Sequence, residues 1–149
     1  MPVVSAVSRL ALAGVLLASG TIKLLDPDGA VRAVRAYRIL PGVLADVVGY
    51  GLPVLEVGLG LLLLLGLSVR YAAIASGLLM VFFVVGIASV WARGLSIDCG
   101  CFGGGGDVAP GTASYGLPLL RNNALLLAAT VLALHPRTPW TLDARLENR

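Results

Sequence analysis

The chain has 149 residues, of which 58% are hydrophobic and 13% charged, and its mean hydropathy is +0.92. Soluble domains carry about 25% charged residues, so a water-soluble globule is excluded. The net charge of +3 is spread thinly and gathers into no basic run, which argues for juxtamembrane anchoring and against nucleic-acid binding.

The composition predicts an all-α, polytopic integral membrane protein: a single domain over residues 1–149 whose four transmembrane helices form a bundle in the lipid bilayer. The first apolar segment runs from about Val4 to Leu25, close to the ~20 residues a helix needs to span. Arg9 and Lys23 lie near enough to its ends to extend their stems toward headgroups. Leu17-Ala18-Ser19-Gly20 has the look of a signal cleavage box. The charged n-region is weak, however, and no cysteine follows the box for lipoprotein processing, so a retained helix is expected.

Asp26-Pro27-Asp28-Gly29 then breaks the helix. From Ala30 to Leu40, Arg32, Arg35 and Arg38 recur every third residue among apolar neighbours, which predicts a short amphipathic helix lying in the interface and closed by Pro41-Gly42. Its arginines are read as anchors to anionic headgroups.

The second span, from about Val47 to Leu67, carries Glu56 near its middle. A mid-membrane carboxylate is costly and normally faces the bundle interior with a partner. Arg121 lies at a similar depth by helical rise and is the expected partner, with Lys23 as a competitor. An ion pair that locks helices together is the preferred reading over a proton-handling role. The third span, Tyr71 to Ala92, is free of charge between Arg70 and Arg93 and ends with Trp91 at the aromatic-belt position. Small residues, among them Gly14, Ala18, Gly58, Gly60, Ala73, Gly77, Gly86 and Ser89, allow the helices to approach closely.

The loop over residues 93–113 holds the chain's two cysteines in Asp98-Cys99-Gly100-Cys101-Phe102-Gly103, followed by three more glycines. Two thiols one glycine apart can close a disulfide within the permitted Cα separation of roughly 4.4–6.8 Å. Such a ring is strained and hence oxidising, and Gly103 to Gly106 supply the conformational freedom and access that exchange requires. Asp98 beside Cys99 disfavours a thiolate there, which makes Cys101 the expected attacking thiol. An inert structural pair and a metal site are the alternatives. A closed zinc site needs four ligands, and the single histidine, His135, falls at the opposite membrane face, so no metal is expected.

The fourth span runs from about Ser114 to His135, with Arg121, Asn122 and Asn123 in its outer half. Four spans put both termini on one side. Arginine and lysine do not decide which side: Arg9, Arg70, Arg137, Arg145 and Arg149 balance Lys23, Arg32, Arg35, Arg38, Arg93 and Arg121. A disulfide-capable pair belongs in an oxidising compartment, which predicts a multi-pass protein of the cytoplasmic membrane with its termini inside and the cysteine loop outside.

Four stretches together carry a resemblance: Ser19 to Pro27 (SGTIKLLDP), Tyr37 with Leu40-Pro41, Leu52 to Gly60 (LPVLEVGLG), and Asp98 to Gly103 (DCGCFG). The chain resembles the methylamine utilisation protein MauE family, related to DoxX-like membrane proteins. The CGCFG element is its specific part. The resemblance implies a four-span membrane protein associated with redox maturation. In MauE itself this means processing or disulfide formation in the small subunit of methylamine dehydrogenase, alongside a thioredoxin-like protein. It makes Cys99 and Cys101 the catalytic candidates without defining their reaction, a thiol-disulfide oxidoreductase activity being the one their own chemistry suggests, and it implies a secreted thiol client. The bundle is also similar to quinone-coupled disulfide generators of the DsbB and vitamin K epoxide reductase type. Those use two cysteine pairs where this chain has one, so a quinone acceptor rests on fold-level analogy. A non-catalytic scaffold that docks a thioredoxin-like partner through the cysteine loop is the competing reading. Small-molecule or ion transport, a third, requires Glu56 to reach water.

Overall fold

The computed structural model describes residues 2–138 and 140–147. Arg149, counted above among the terminal-side charges, lies outside them. The described chain folds into helices α1 (Pro2–Leu25), α2 (Pro27–Ala36), α3 (Gly42–Leu65), α4 (Val69–Ala92), α5 (Gly116–Leu134) and α6 (Leu142–Glu147), with strands β1 (Ile97–Asp98) and β2 (Gly106–Asp107) in the loop before α5. Helices α1, α3, α4 and α5 are each long and apolar enough to cross a membrane, as expected of this all-helical membrane protein. Only their ends shift, α3 and α4 starting earlier than read from sequence.

The break after α1 follows from local chemistry. Asp26 caps α2, its Oδ1 accepting from the Gly29 N–H at 2.9 Å, and Pro27 stands in the first turn, where a missing N–H is harmless. Helix α2 therefore begins at Pro27 rather than Ala30. Its small apolar face, Ala30, Val31, Ala33 and Ala36, is buried while Arg32 and Arg35 point outward, Arg35 onto Asp46 at 2.6 Å. The amphipathic helix lies on the bundle, against α3 and the cysteine loop, rather than on headgroups alone.

In the bundle α1 packs chiefly on α3 and α4 on α5, with α1 also touching α5. The closest approaches fall at Gly20, Gly49 and Gly60. A Cβ at Gly20 would sit 2.8 Å from Val57, at Gly49 2.7 Å from Val31, and at Gly60 2.7 Å from Leu17, whereas Gly14 and Gly58 face open space. The middle of the bundle is filled by Leu12, Leu16, Leu63, Ala73, Met80 and Leu132, and a smaller cluster of Ala36, Ile87, Val90, Ile97 and Tyr115 lies beneath the cysteine loop.

Neither Arg9 nor Lys23 reaches headgroups, a correction to the expectation from sequence; they are 4% and 5% exposed. Arg9 donates to the Leu63 and Leu64 carbonyls at 3.1 and 3.4 Å, where α3 ends. Lys23 turns inward to the site.

Candidate functional site

The cysteine loop is held down at each of its parts. Ile97 pairs with Asp107 and Asp98 with Gly106 in a two-residue antiparallel ladder. Inside it, the Asp98 carboxylate accepts the Gly100 N–H at 3.2 Å and the Gly105 N–H at 3.4 Å, so Asp98 staples the loop. Gly100 and Gly105 both have positive φ, and a Cβ on either would come within 2.5 Å of the Ala33 methyl. The glycine run, read from sequence as a source of mobility, thus lets the backbone lie against α2. The Tyr115 hydroxyl bridges the loop's base, donating to the Leu95 carbonyl and accepting from the Ile97 N–H at 3.1 Å.

Cys99 and Cys101 are both thiols here, the first half-buried and the second buried. The Tyr37 hydroxyl donates to the Cys99 carbonyl at 3.1 Å and fixes its backbone. The Cys101 thiol donates a hydrogen bond to Cys99, which pulls the Cys99 pKa down to about 6; burial and Asp98 oppose that fall and Arg121 aids it. The Cys101 thiol is pushed up, first by that same hydrogen bond and then by burial. This reverses the order expected from sequence: Cys99, not Cys101, is the accessible and acidic thiol. Asp98 does act against the Cys99 thiolate, but its carboxylate is turned onto backbone N–H groups and the neighbouring thiol donor outweighs it. The Tyr37 phenol is pushed up by burial and by the cysteines and Asp98 around it, so it stays a donor.

Beneath the loop lies the buried polar group. Glu56 is 0% exposed, and its Oε1 accepts from Lys23 Nζ at 2.7 Å. Its Oε2 lies 3.1 Å from the Ser19 hydroxyl, which is 2.6 Å from the Cys101 carbonyl. One hydroxyl proton serves one acceptor at a time, so Ser19 is the joint between the core carboxyl and the redox loop. The partnership expected between Glu56 and Arg121 does not form. The Arg121 guanidinium instead covers the Phe102 ring at 4.4 Å, a cation–π contact beside the loop. The reason is helix proximity: Gly20 brings α1 against Pro53, Glu56 and Val57, and Ser19 and Lys23, on the same face of α1, then reach the carboxyl first.

Cys99, Gly100 and Cys101 also line a cavity of about 130 Å³ closed by α2, α3 and α4, with Lys23, Tyr37 and Phe83 in its wall. Sequence reading missed Ser19, Tyr37 and Ala33 as site residues. Ser19 and Tyr37 stood in the shared runs quoted above, but nothing in a linear sequence shows that both meet the cysteine backbone. Gly103 packs near Ile22 of α1.

The model of the family described as "Methylamine utilisation protein MauE" matches residues 1–135. Three curated relatives carry the name methylamine utilization protein MauE. That of Paracoccus denitrificans is 34% identical over 146 residues, 97% of this chain and 75% of the relative. That of Methylorubrum extorquens is 37% identical over 133 residues, 89% of this chain and 69% of the relative. That of Methylophilus methylotrophus is 36% identical over 101 residues, 67% and 53% of the two chains. No solved structure matches. On the strength of the family match and these relatives, the chain belongs to the MauE family of membrane proteins.

Proposed function

We propose that this protein is a membrane-embedded thiol-disulfide exchange protein of methylamine utilisation that assists disulfide formation in an extracytoplasmic client. The observation that carries the reading is the asymmetry of the cysteine pair: a half-buried, reachable Cys99 backed by a buried Cys101 on a loop pinned to the bundle, with the downward direction of the Cys99 pKa in agreement. In the oxidised form a client thiolate attacks Cys99 Sγ, the Cys99–Cys101 bond breaks, and Cys101 leaves and takes up a proton. A second client thiolate then attacks the mixed disulfide and expels Cys99, whose low pKa makes it a good leaving group. The client gains a disulfide and the protein keeps two thiols, which an acceptor or a thioredoxin-like partner must reoxidise. Such chemistry belongs on the outer side of the cytoplasmic membrane, with the termini inside.

The test is trapping. With Cys101→Ala the thiol that resolves the reverse attack is gone: the Cys99 thiolate, attacking the disulfide of an oxidised client or of the partner that reoxidises the pair, should accumulate as a mixed disulfide in membranes, and Cys99 should be labelled from outside by a membrane-impermeant maleimide once that adduct is reduced. Cys99→Ala should trap nothing. If the pair stays reduced and inert in both native and oxidising membranes, the exchange reading fails and the loop is a docking element.

A further inference from the structure

The cavity beside the cysteines has features that the exchange reaction with a protein client does not use. Its wall is apolar apart from Lys23, the Tyr37 ring and the cysteine segment, and it lies where α3 and α4 diverge: these helices are joined by a short turn yet pack on each other far less than α1 on α3 or α4 on α5. Phe82, Val85 and Ile39 at its rim are 50%, 61% and 50% exposed. The exposed rim is carried by α4 and by the chain between α2 and α3, and since α4 is long and apolar enough to cross a membrane the opening beside it faces lipid on that reading. At about 130 Å³ it is close to the roughly 150 Å³ of a cavity known to hold one benzene ring.

We propose that this cavity is the binding site for the ring of a lipid-dissolved quinone, which takes two electrons from the reduced Cys99/Cys101 pair. The inference rests on the exchange reading above and names its terminal acceptor. Four observations converge on that class. The chain holds one cysteine pair, so electrons leaving it without a soluble thiol partner need a non-thiol acceptor. The two cysteines form part of the cavity wall, which puts the dithiol against whatever enters. Lys23 gives one of its three N–H donors to Glu56 and lies 5.2 Å from the Phe83 ring centroid, leaving two donors for a carbonyl oxygen. The lateral mouth lets an apolar tail remain in the bilayer while the ring docks. The step balances: the Cys99 thiolate and the Cys101 thiol form one S–S bond, two electrons pass to the quinone, and its two carbonyl oxygens become the hydroxyls of a hydroquinone by taking one proton from the Cys101 S–H and one from the medium, the latter being the proton Cys99 gave up on ionising.

The full chain, reduced and reconstituted in nanodiscs of quinone-free phosphatidylcholine, is mixed anaerobically with a short-tailed ubiquinone analogue. Quinone absorbance and the intramolecular disulfide are followed together. One quinone should be reduced per cysteine pair. Val85→Trp and Leu52→Phe, which fill the mouth from opposite helices, should slow this at least tenfold while oxidation by the small soluble disulfide of 2-hydroxyethanethiol is unchanged, which also shows that the variants fold. A photoreactive azidoquinone on the wild-type protein should label α3 or α4 at the cavity wall, so the site stays testable if either variant misfolds. If the soluble disulfide oxidises the pair but the quinone does not, or the label maps elsewhere, the cavity holds only lipid and this inference is overturned while the exchange reading stands. If neither oxidant acts, both fail.

Discussion

At the end of the bundle away from the cysteines, the described hydrogen bonds of the polar side chains run to backbone. Arg9 donates to the carbonyls that end α3, Gly66 turns the chain in the left-handed region, and Asp143 of α6 accepts the Ser68 and Val69 N–H groups at 3.0 and 3.1 Å at the start of α4. At the cysteine end they bind one another and the loop: Lys23 to Glu56, Glu56 to Ser19, Ser19 to Cys101. The first arrangement satisfies helix termini, which any fold must do. The second joins a buried charge pair to one exposed loop, a connection that the termini of the helices do not require. The difference predicts that changes at the two ends separate stability from thiol chemistry.

The largest effect belongs to the charge pair. Removing one member of a buried pair strands the other, at about 3–5 kcal/mol, whereas replacing both with apolar residues of like size is far milder. Glu56→Ala or Lys23→Ala should each lower the unfolding temperature in detergent sharply, and Lys23→Met with Glu56→Met should recover most of that loss. If the double variant is as unstable as the two singles summed, the groups do not act as a pair. Arg121→Ala should leave the cycle untouched.

That exemption for Arg121 shows where sequence reading stops. The four spans are legible as long windows with few charges, and Asp26-Pro27 marks a helix start by its own chemistry. Depth along a helix axis can also be counted. Which face of α5 Arg121 occupies, and that Gly20 lets α1 close on α3, depends on helix rotation and contact, which a count of residues does not carry. The cysteine order failed for a similar reason. Asp98 is adjacent to Cys99 in sequence, yet its carboxylate serves Gly100 and Gly105, and the thiol two residues on sets the Cys99 pKa.

The next effect is on that pKa. With a folded value of about 6, against an ordinary thiol near ~8.5, the Cys99 thiolate is present above the lower value. Alkylation of the reduced protein by iodoacetamide should rise through pH 6 and level off by neutrality. Cys101→Ala deletes the donor, so the midpoint should move up by a unit or more on the order of the lost stabilisation. The midpoint is the readout because a more basic thiolate is also the more nucleophilic, which blunts the change in rate at any one pH. A midpoint that stays put in Cys101→Ala would assign the low value to Arg121 instead.

A smaller effect tests the seat of the loop. Gly105 has φ +96° and a Cβ there would meet the Ala33 methyl at 2.4 Å. Gly105→Ala should therefore cost about 1–3 kcal/mol of local strain, lift the loop from α2 and speed alkylation of Cys101. Ala33→Gly in the same chain removes the methyl clash and should return a portion of the protection, leaving the part due to φ and to the Ala33 and Gly100 Cα atoms at 3.0 and 3.3 Å.

The smallest effect breaks the comparison from the other end. Asp143 caps α4 with both carboxylate oxygens, and its own N–H donates to the Gly66 carbonyl at 3.1 Å, so α6 is fastened to the α3–α4 turn through this residue. Loss of such a cap costs about 0.5–2 kcal/mol. Asp143→Ala keeps the backbone donor to Gly66 and deletes only the acceptors, so the unfolding temperature should fall modestly. The Cys99 midpoint and the rate of thiol exchange should stay at their wild-type values, because the described hydrogen bonds of Asp143 all run to the α3–α4 turn. A shift in that midpoint would mean that the α3–α4 turn transmits to the loop along the bundle, and the division between a holding end and a reacting end would have to be abandoned.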